Sequence, residues 1–272
     1  MTDRTEEPSG ETSPEEGASM TWRIVIVVLA FAFVGLGAWL LVGARGAPDP
    51  DGYLVAAPAV DVPAAEAPAP AATAATGAAA VPQGNAARVD DAWAGRVAAA
   101  TGIPVRAVRG YAGAELAVAV ETPGCGLRWS TLAAVGGIES AHGTHAGSAI
   151  GEDGVARPGI FGMDLTGERS GRVDDTDGGA WDAASTIDRA VGPMQFIPAT
   201  WEAWGADGNG DGVTDPQQID DAALAAARYL CHHGDLRTPE RWRAAIFAYN
   251  HLDSYVDEVA MTANEYARRA VE

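Results

Sequence analysis

The chain has no lysine. All 18 of its basic side chains are arginine, set against 37 acidic ones, for a net charge of −19. The missing lysine is a compositional bias without mechanistic content. The shortage of positive charge does exclude nucleic acid and anionic lipid as partners for the chain's surface. Cysteine is nearly absent as well: Cys125 and Cys231 are the only two, and neither stands in a CxxC or other metal-ligand spacing. Period-two alternation of apolar and polar residues is found nowhere, so the folded part is expected to be mainly α. Charge itself is missing from residues 24–43 (IVIVVLAFAFVGLGAWLLVG), a run long enough to cross a bilayer as a helix.

These shifts in composition divide the chain. Residues 1–22 are acidic and rich in Pro, Ser and Thr, which reads as a disordered tail. Residues 23–44 form the expected transmembrane helix. A cleavable signal peptide is the competing reading, but the apolar run is long for one and follows an acidic tail. Residues 45–88 are dominated by Ala and Pro with no periodic apolar face, the composition of a semi-extended linker. Residues 89–272 suffice for one domain with its own core.

Arg23 and Arg45 flank the apolar run almost symmetrically, so charge does not orient it. The cysteines decide instead. Beside a membrane anchor, a Cys125–Cys231 disulfide in an extracytoplasmic domain is preferred over two buried free thiols. It would tie the segment before residue 128 to the end of a helix near 217–231. The expected location is therefore the cell membrane, single-pass, with the domain on the outer, extracytoplasmic side.

Within the domain, helices are expected at 89–100, 104–118, 128–141, 198–204, 216–232, 239–249 and 252–269. Asp215-Pro216-Gln217-Gln218 offers an N-cap followed by Pro at the first helical position, and Thr238-Pro239 repeats the pattern. Residues 143–187 are rich in Gly and Asp with few helix signals. A loop of that length inside a domain is usually functional. It is expected to form a lobe beside a cleft, with any short strands unplaced.

The most informative residue is Glu139, in Gly137-Ile138-Glu139-Ser140-Ala141-His142-Gly143 at the end of an apolar helical run. Trp129, Leu132, Gly136 and Glu139 follow one helical face. Burial on that face and the negative end of the helix dipole both raise a carboxyl pKa. A carboxylic acid still protonated near neutrality is what general-acid cleavage of a glycosidic bond requires. A solvent-exposed Glu at a helix end is the bland alternative. His142 and His145 lie just beyond and read as incidental loop histidines.

Three further motifs follow in order: Asp188-Arg189-Ala190-Val191-Gly192-Pro193-Met194-Gln195-Phe196-Ile197-Pro198, then Asp207-Gly208-Asn209-Gly210-Asp211-Gly212, then Ala248-Tyr249-Asn250-His251 with Tyr255 beyond. Together with Glu139 they closely resemble the lytic transglycosylases of the membrane-bound murein transglycosylase B type, in their actinobacterial form, over nearly all of residues 100–260. The resemblance implies a lysozyme-like transglycosylase domain with a Gly/Asp-rich lobe. It implies that Glu139 alone serves as acid and base on the MurNAc-GlcNAc β-1,4 bond of peptidoglycan, leaving a 1,6-anhydro-muramyl product. Glycosidases ordinarily use two carboxylates, and no second one stands out here; Asp188 reads as a turn cap or a partner of Arg189. Ser140, Gln195, Tyr249, Asn250 and Tyr255 would bind the sugar, although the tyrosines could equally pack in the core and Ser140 could bond a carbonyl of its own helix.

Asp207, Asn209 and Asp211 place oxygens at alternate positions with Gly212 at the sixth, the first half of an EF-hand loop. The resemblance implies a weak structural calcium site with the carbonyl of Val213 and with Gln218 at the twelfth position. Gln218 departs from the bidentate acid expected there, for which Asp215, Asp220 or Asp221 could substitute. A metal-free turn is the alternative. No organic cofactor is implied. A muramidase acting on the same bond, and a non-catalytic wall-binding scaffold, are the competing functions.

Overall fold

The computed structural model describes residues 67–70, 84–166 and 172–272. The expected tail at 1–22, the membrane helix at 23–44 and most of the linker lie outside the described residues. Among the described residues, no helix is long and apolar enough to cross a membrane.

The described chain is mainly helical. Helices α1 (Asp91–Thr101), α2 (Val105–Glu121) and α3 (Trp129–Ser140) precede the Gly/Asp-rich stretch. Helices α4 (Pro198–Trp204), α5 (Ile219–Cys231), α6 (Pro239–Tyr249) and α7 (Asp253–Ala270) follow it. α2 packs on α5, and α3 on α2 and α7, around one apolar core. Helix α3 is its centre. Every residue from Trp129 to Gly136 is buried, Ser130 and Thr131 included, so the helix is enclosed all round rather than along a single stripe. Gly136 is required there, because a Cβ at that position would lie 2.1 Å from the Tyr111 hydroxyl of α2.

Caps explain several boundaries. Asp90 accepts the N–H of Trp93 at 2.8 Å and starts α1. The start of α3 is capped from α2, where Glu115 accepts the N–H of Trp129 at 2.6 Å and pairs with Arg128 at 3.2 Å. Glu115 is buried, and desolvation raises its carboxyl to about 7 against the pull of those two partners. α5 begins later than expected. Its cap is the buried Gln218, whose side-chain oxygen accepts the N–H groups of Asp220 and Asp221. Asp215 instead accepts the N–H of Gln217 in the turn before it. Pro239 does open α6, but Thr238 donates its hydroxyl back to the Asp235 carbonyl at 3.2 Å instead of capping.

The stretch 143–197 contains the short strands that its composition left unplaced. β1 (Ala149–Ile150) pairs antiparallel with β2 (Ala156–Arg157), and β3 (Phe161–Asp164) with β4 (Arg189–Val191). Buried carboxylates accept loop donors between them. Asp188 holds the N–H and hydroxyl of Thr176 at 3.0 and 2.6 Å, and Asp182 holds the N–H groups of Ala184 and Arg189. Asp188 is thus a turn cap and does not pair with Arg189.

Cys125 and Cys231 are bonded, with Cα atoms 5.3 Å apart across a sequence separation of 106. The bridge joins the segment before α3 to the last residue of α5. The folded part also begins earlier than residue 89. Asn85–Arg88 form a 3-10 turn against α2, the N–H of Asn85 donates to the Gly208 carbonyl at 2.7 Å, and Asp90 donates its N–H to Ala69.

Candidate active site

Glu139 sits on the last turn of α3, where Ala141 and His142 take left-handed backbone conformations (φ 50 and 59) and end the helix. The N–H groups of Ala141 and His142 donate back to the carbonyls of Gly137 and Gly136 at 2.9 Å. Ser140 fastens this end to the next segment. Its hydroxyl donates to the Pro193 carbonyl at 2.7 Å and accepts the Gly143 N–H at 2.8 Å. Ser140 is 1% exposed, so it presents no surface to a sugar, and its expected role in substrate binding gives way to a structural one.

Opposite Glu139 stands Tyr255 of α7, whose hydroxyl donates to Glu139 Oε1 at 2.5 Å. Burial lifts the Glu139 carboxyl from its ordinary 4.5 to about 7. The Tyr255 hydrogen bond pulls the other way, and the charge of Glu258 adds to the rise. Glu258 lies three residues beyond Tyr255 on α7. Its signal in the sequence was that i,i+3 spacing, visible only once Tyr255 was placed beside Glu139. The Tyr255 phenol is pushed well up by burial first and then by Glu139, so it remains a donor at any relevant pH.

Gln195 and Tyr249 line a cavity of about 250 Å³ together with Phe196, Ile197, Tyr229 and His251. Gln195 has a left-handed backbone (φ 51), and its amide donates to the Gly192 carbonyl at 2.9 Å. Tyr249 donates its hydroxyl to the Met194 carbonyl at 2.7 Å and meets Phe196 and Tyr229 edge-on. Tyr249 also connects the cavity to Glu139: its phenol is pushed up by burial and next by the Glu139 charge. Asn250 ends α6, partly buried, with its N–H on the Ile246 carbonyl at 3.2 Å.

Behind the helix end lies an arrangement the sequence did not disclose. His142 is 8% exposed and sits between the hydroxyls of Tyr111 (Nδ1, 3.3 Å) and Tyr266 (Nε2, 2.9 Å). Burial lowers it to about 4, which keeps it neutral. It is a packed residue of the site's rear wall, not an incidental loop histidine.

In the 207–213 loop the expected donors face inward onto backbone. Asp207 accepts the N–H groups of Gly210, Asp211 and Gly212, Asn209 accepts that of Asp211, and Asp211 accepts that of Val213. Val213 is exposed at the outer edge. Gln218 is withdrawn from the loop, because its side chain caps α5 and reaches the Asp153 carbonyl. The loop is held from α5 by Asp221. Asp221 is 1% exposed and accepts the N–H groups of Gly208, Asn209 and Asp215 at 2.7, 3.1 and 2.9 Å. Burial raises its carboxyl to about 6 in spite of those bonds, and the charge of Asp207 contributes. A different acidic group, Asp175, Asp177 and Asp188, brings carboxylate oxygens within 4.8 Å of one another, but both Asp188 oxygens are engaged by Thr176.

No curated protein and no solved structure matches the chain. Residues 179–271 match the family model of the transglycosylase SLT domain, a stretch that takes in Gln195, the 207–213 loop, Tyr249, Asn250 and Tyr255 but begins after Glu139. The match supports a lytic transglycosylase family, with peptidoglycan as its substrate.

Proposed function

We propose that this chain is a membrane-anchored peptidoglycan lytic transglycosylase in which Glu139 is the single acid and base. The observation that carries the proposal is the Glu139 carboxyl, held near 7 by burial and bonded to Tyr255. At neutral pH such a group exists in both protonation states, as a residue that first gives and then takes a proton must. Glu139 donates its proton to the oxygen between MurNAc and GlcNAc, and the GlcNAc unit departs with that proton. The Glu139 carboxylate then removes the proton of the muramyl 6-hydroxyl, and the 6-oxygen closes on C1 to give the 1,6-anhydro sugar. Tyr255, a permanent donor, supports the carboxylate between the two transfers. Gln195 and Asn250 supply amide groups to the sugar. Tyr249, whose hydroxyl is engaged by Met194, offers its ring.

The lysozyme-like helical architecture suits this reading. So does the disulfide, which belongs in an oxidising compartment. Residues 23–44 would hold the domain on the outer side of the cell membrane, facing the wall.

A structural calcium ion fits the 207–213 loop in part. Asp207, Asn209 and Asp211 offer hard oxygens, and a cation there would relieve the mutual pressure of Asp207 and Asp221. Asp221, not Gln218, is the outlying acid. The ion would stiffen the loop and supply no chemistry.

One observation favours a second reading. Glu258 lies close enough to Glu139 to raise its pKa, and a muramidase would use such a carboxylate to direct water. A non-catalytic wall-binding scaffold has no use for Glu139 in this setting. Mass analysis of muropeptides after digestion of purified wall decides among the three. Products lighter by one water identify the lyase, hydrolytic products that vanish in Glu258→Gln identify the muramidase, and intact wall identifies the scaffold.

A further inference from the structure

Two residues past Glu139 the backbone turns left-handed twice in succession, at Ala141 and His142, and neither is glycine. L-residues resist that conformation, so a pair of them directly after the acid needs something to hold it. The ring of His142 supplies the hold. Its two nitrogens meet the hydroxyls of Tyr111 on α2 and Tyr266 on α7. Both phenol rings also pack against the imidazole, with centroids 5.9 and 5.7 Å away. A neutral imidazole has one donor and one acceptor, which the two hydroxyls satisfy between them.

Helix α3 is shaped to receive this group. A Cβ on Gly136 would lie 2.1 Å from the Tyr111 hydroxyl, and one on Gly137 would lie 3.1 Å from His142 Cε1 and 3.2 Å from the Tyr266 hydroxyl. Gly137 precedes Glu139 by two residues, which puts it on the opposite side of the helix. The rings of His142 and Tyr266 therefore press on the bare rear of the turn whose front bears the acid. Helix α7 reaches both sides. Tyr255 and Tyr266 are eleven residues apart on it, about three turns, and so share one face. The first bonds Glu139 Oε1 at 2.5 Å and the second His142 Nε2 at 2.9 Å.

We propose that Tyr111, His142 and Tyr266 are positioning residues: they clamp the last turn of α3 from behind and so fix the Glu139 carboxyl against the Tyr255 hydroxyl. They act through Glu139, and the use of the clamped acid on glycan rests on the reading above. Without the clamp the turn can swing the carboxyl toward water, and the burial that raises it is lost. The titratable groups around the acid are Tyr255 and Glu258 of α7 and Tyr249 of α6. Those around His142 are the two phenols, with Arg269 near Tyr266. Removing the Tyr266 hydroxyl leaves every one of the other groups in place.

The test uses the full-length chain and two readouts. The first is the NMR titration of the Glu139 carboxyl carbon, identified by its loss in Glu139→Gln. Tyr266→Phe removes one hydroxyl and keeps the ring. His142→Asn removes the imidazole but keeps a residue that tolerates the left-handed backbone. Thr131→Val is the control: it deletes the acceptor of Trp242 Nε1 (3.2 Å) near the start of the same helix and leaves the last turn untouched. In both clamp variants the Glu139 midpoint should fall from near 7 by about one pH unit or more, and in the control it should stay. The second readout is turnover of wall glycan, where kcat should fall about tenfold or more in the clamp variants with KM changed by less than about twofold. The proposal is overturned if the midpoint stays in both clamp variants, if Thr131→Val moves it as far, or if KM carries the loss instead of kcat. A chain inactive on wall glycan refutes the function proposed above, and the titration alone then decides the clamp.

Discussion

The helices around Glu139 and the stretch from Gly143 to Gln218 are held together by different forces. α3 is surrounded by Leu, Ala, Val and Tyr from α2, α5 and α7, with Trp93 of α1 edge-on to Trp129, and apolar burial dominates there. In the lobe and the 207–213 loop, Asp182, Asp188, Asp207, Asp211 and Asp221 accept backbone N–H groups, and the strands are only two to four residues long. The first region is closely packed and can hold a carboxyl away from water. The second is a polar scaffold whose shape depends on charge. The division suits the proposed role, in which one perturbed acid sits on a rigid support beside an adaptable wall.

Four experiments would break or sharpen this contrast. The largest effect should come from Glu139→Gln, which lowers glycan cleavage by about 10²–10⁴-fold, the range of general acid catalysis. The same variant should be more stable than the wild type at pH 8. A carboxyl raised from 4.5 to about 7 in the fold contributes stability that is complete below pH 4.5 and lost as pH rises through 7. At ~1.4 kcal/mol per pH unit the variant gains at most about 3 kcal/mol. A stability difference between wild type and variant that is the same at pH 5 and pH 8 would remove burial as the cause.

Next in size is the bridge that staples the helical region. Replacing Cys125 and Cys231 by Ser should destabilise the domain by up to about 5 kcal/mol in the chain-entropy model for a loop of this length. Thiol labelling of the unreduced, denatured wild type at two positions would contradict the bond itself.

The lobe should respond more locally. Asp188→Ala strands the Thr176 N–H and should cost roughly 1–3 kcal/mol, seen as faster amide exchange across 172–191 with α3 and α7 unchanged. Exchange that quickened equally in α3 would mean that the two regions unfold as one.

Smallest is the response to calcium. With a dissociation constant of about 10⁻⁴–10⁻³ M, millimolar calcium should stabilise by about 1 kcal/mol and raise Tm by a few degrees, an effect absent in Asp211→Ala. Identical melting with calcium and with chelator would reduce the loop to a turn.

The same division governs how much could be read from the sequence. Helical periodicity and the cap-then-Pro patterns lie within short windows, and the seven helices fall close to where those windows placed them. Glu139 was legible for the same reason, as a lone acid closing an apolar run. What escaped depends on contacts between distant segments. Ser140 looks like a neighbour of the acid until Pro193 is seen to take its hydroxyl. Gln218 holds the twelfth position of the loop by count, yet its side chain turns into α5, and Asp221, three residues on, is the side chain that accepts the loop's N–H groups. Tyr111, His142 and Tyr266 lie on different helices and turns, and no local pattern connects them. The Gly-rich lobe carried no periodicity at all, because strands of two to four residues are too short to show one.

The neutral imidazole of His142 has a consequence for the residue three positions before it. Held at about 4 by burial, it takes up a proton less readily in the fold than in the unfolded chain, so its contribution to stability is complete above 6.5 and lost as pH falls through 4. Glu139 does the reverse, losing its contribution as pH rises from 4.5 through 7. Between about pH 4.5 and 6.5 the proton that Glu139 takes up in excess is matched by the one His142 refuses. The end of α3 is thereby thermodynamically buffered: mild acidification can protonate the acid without loosening the turn that carries it.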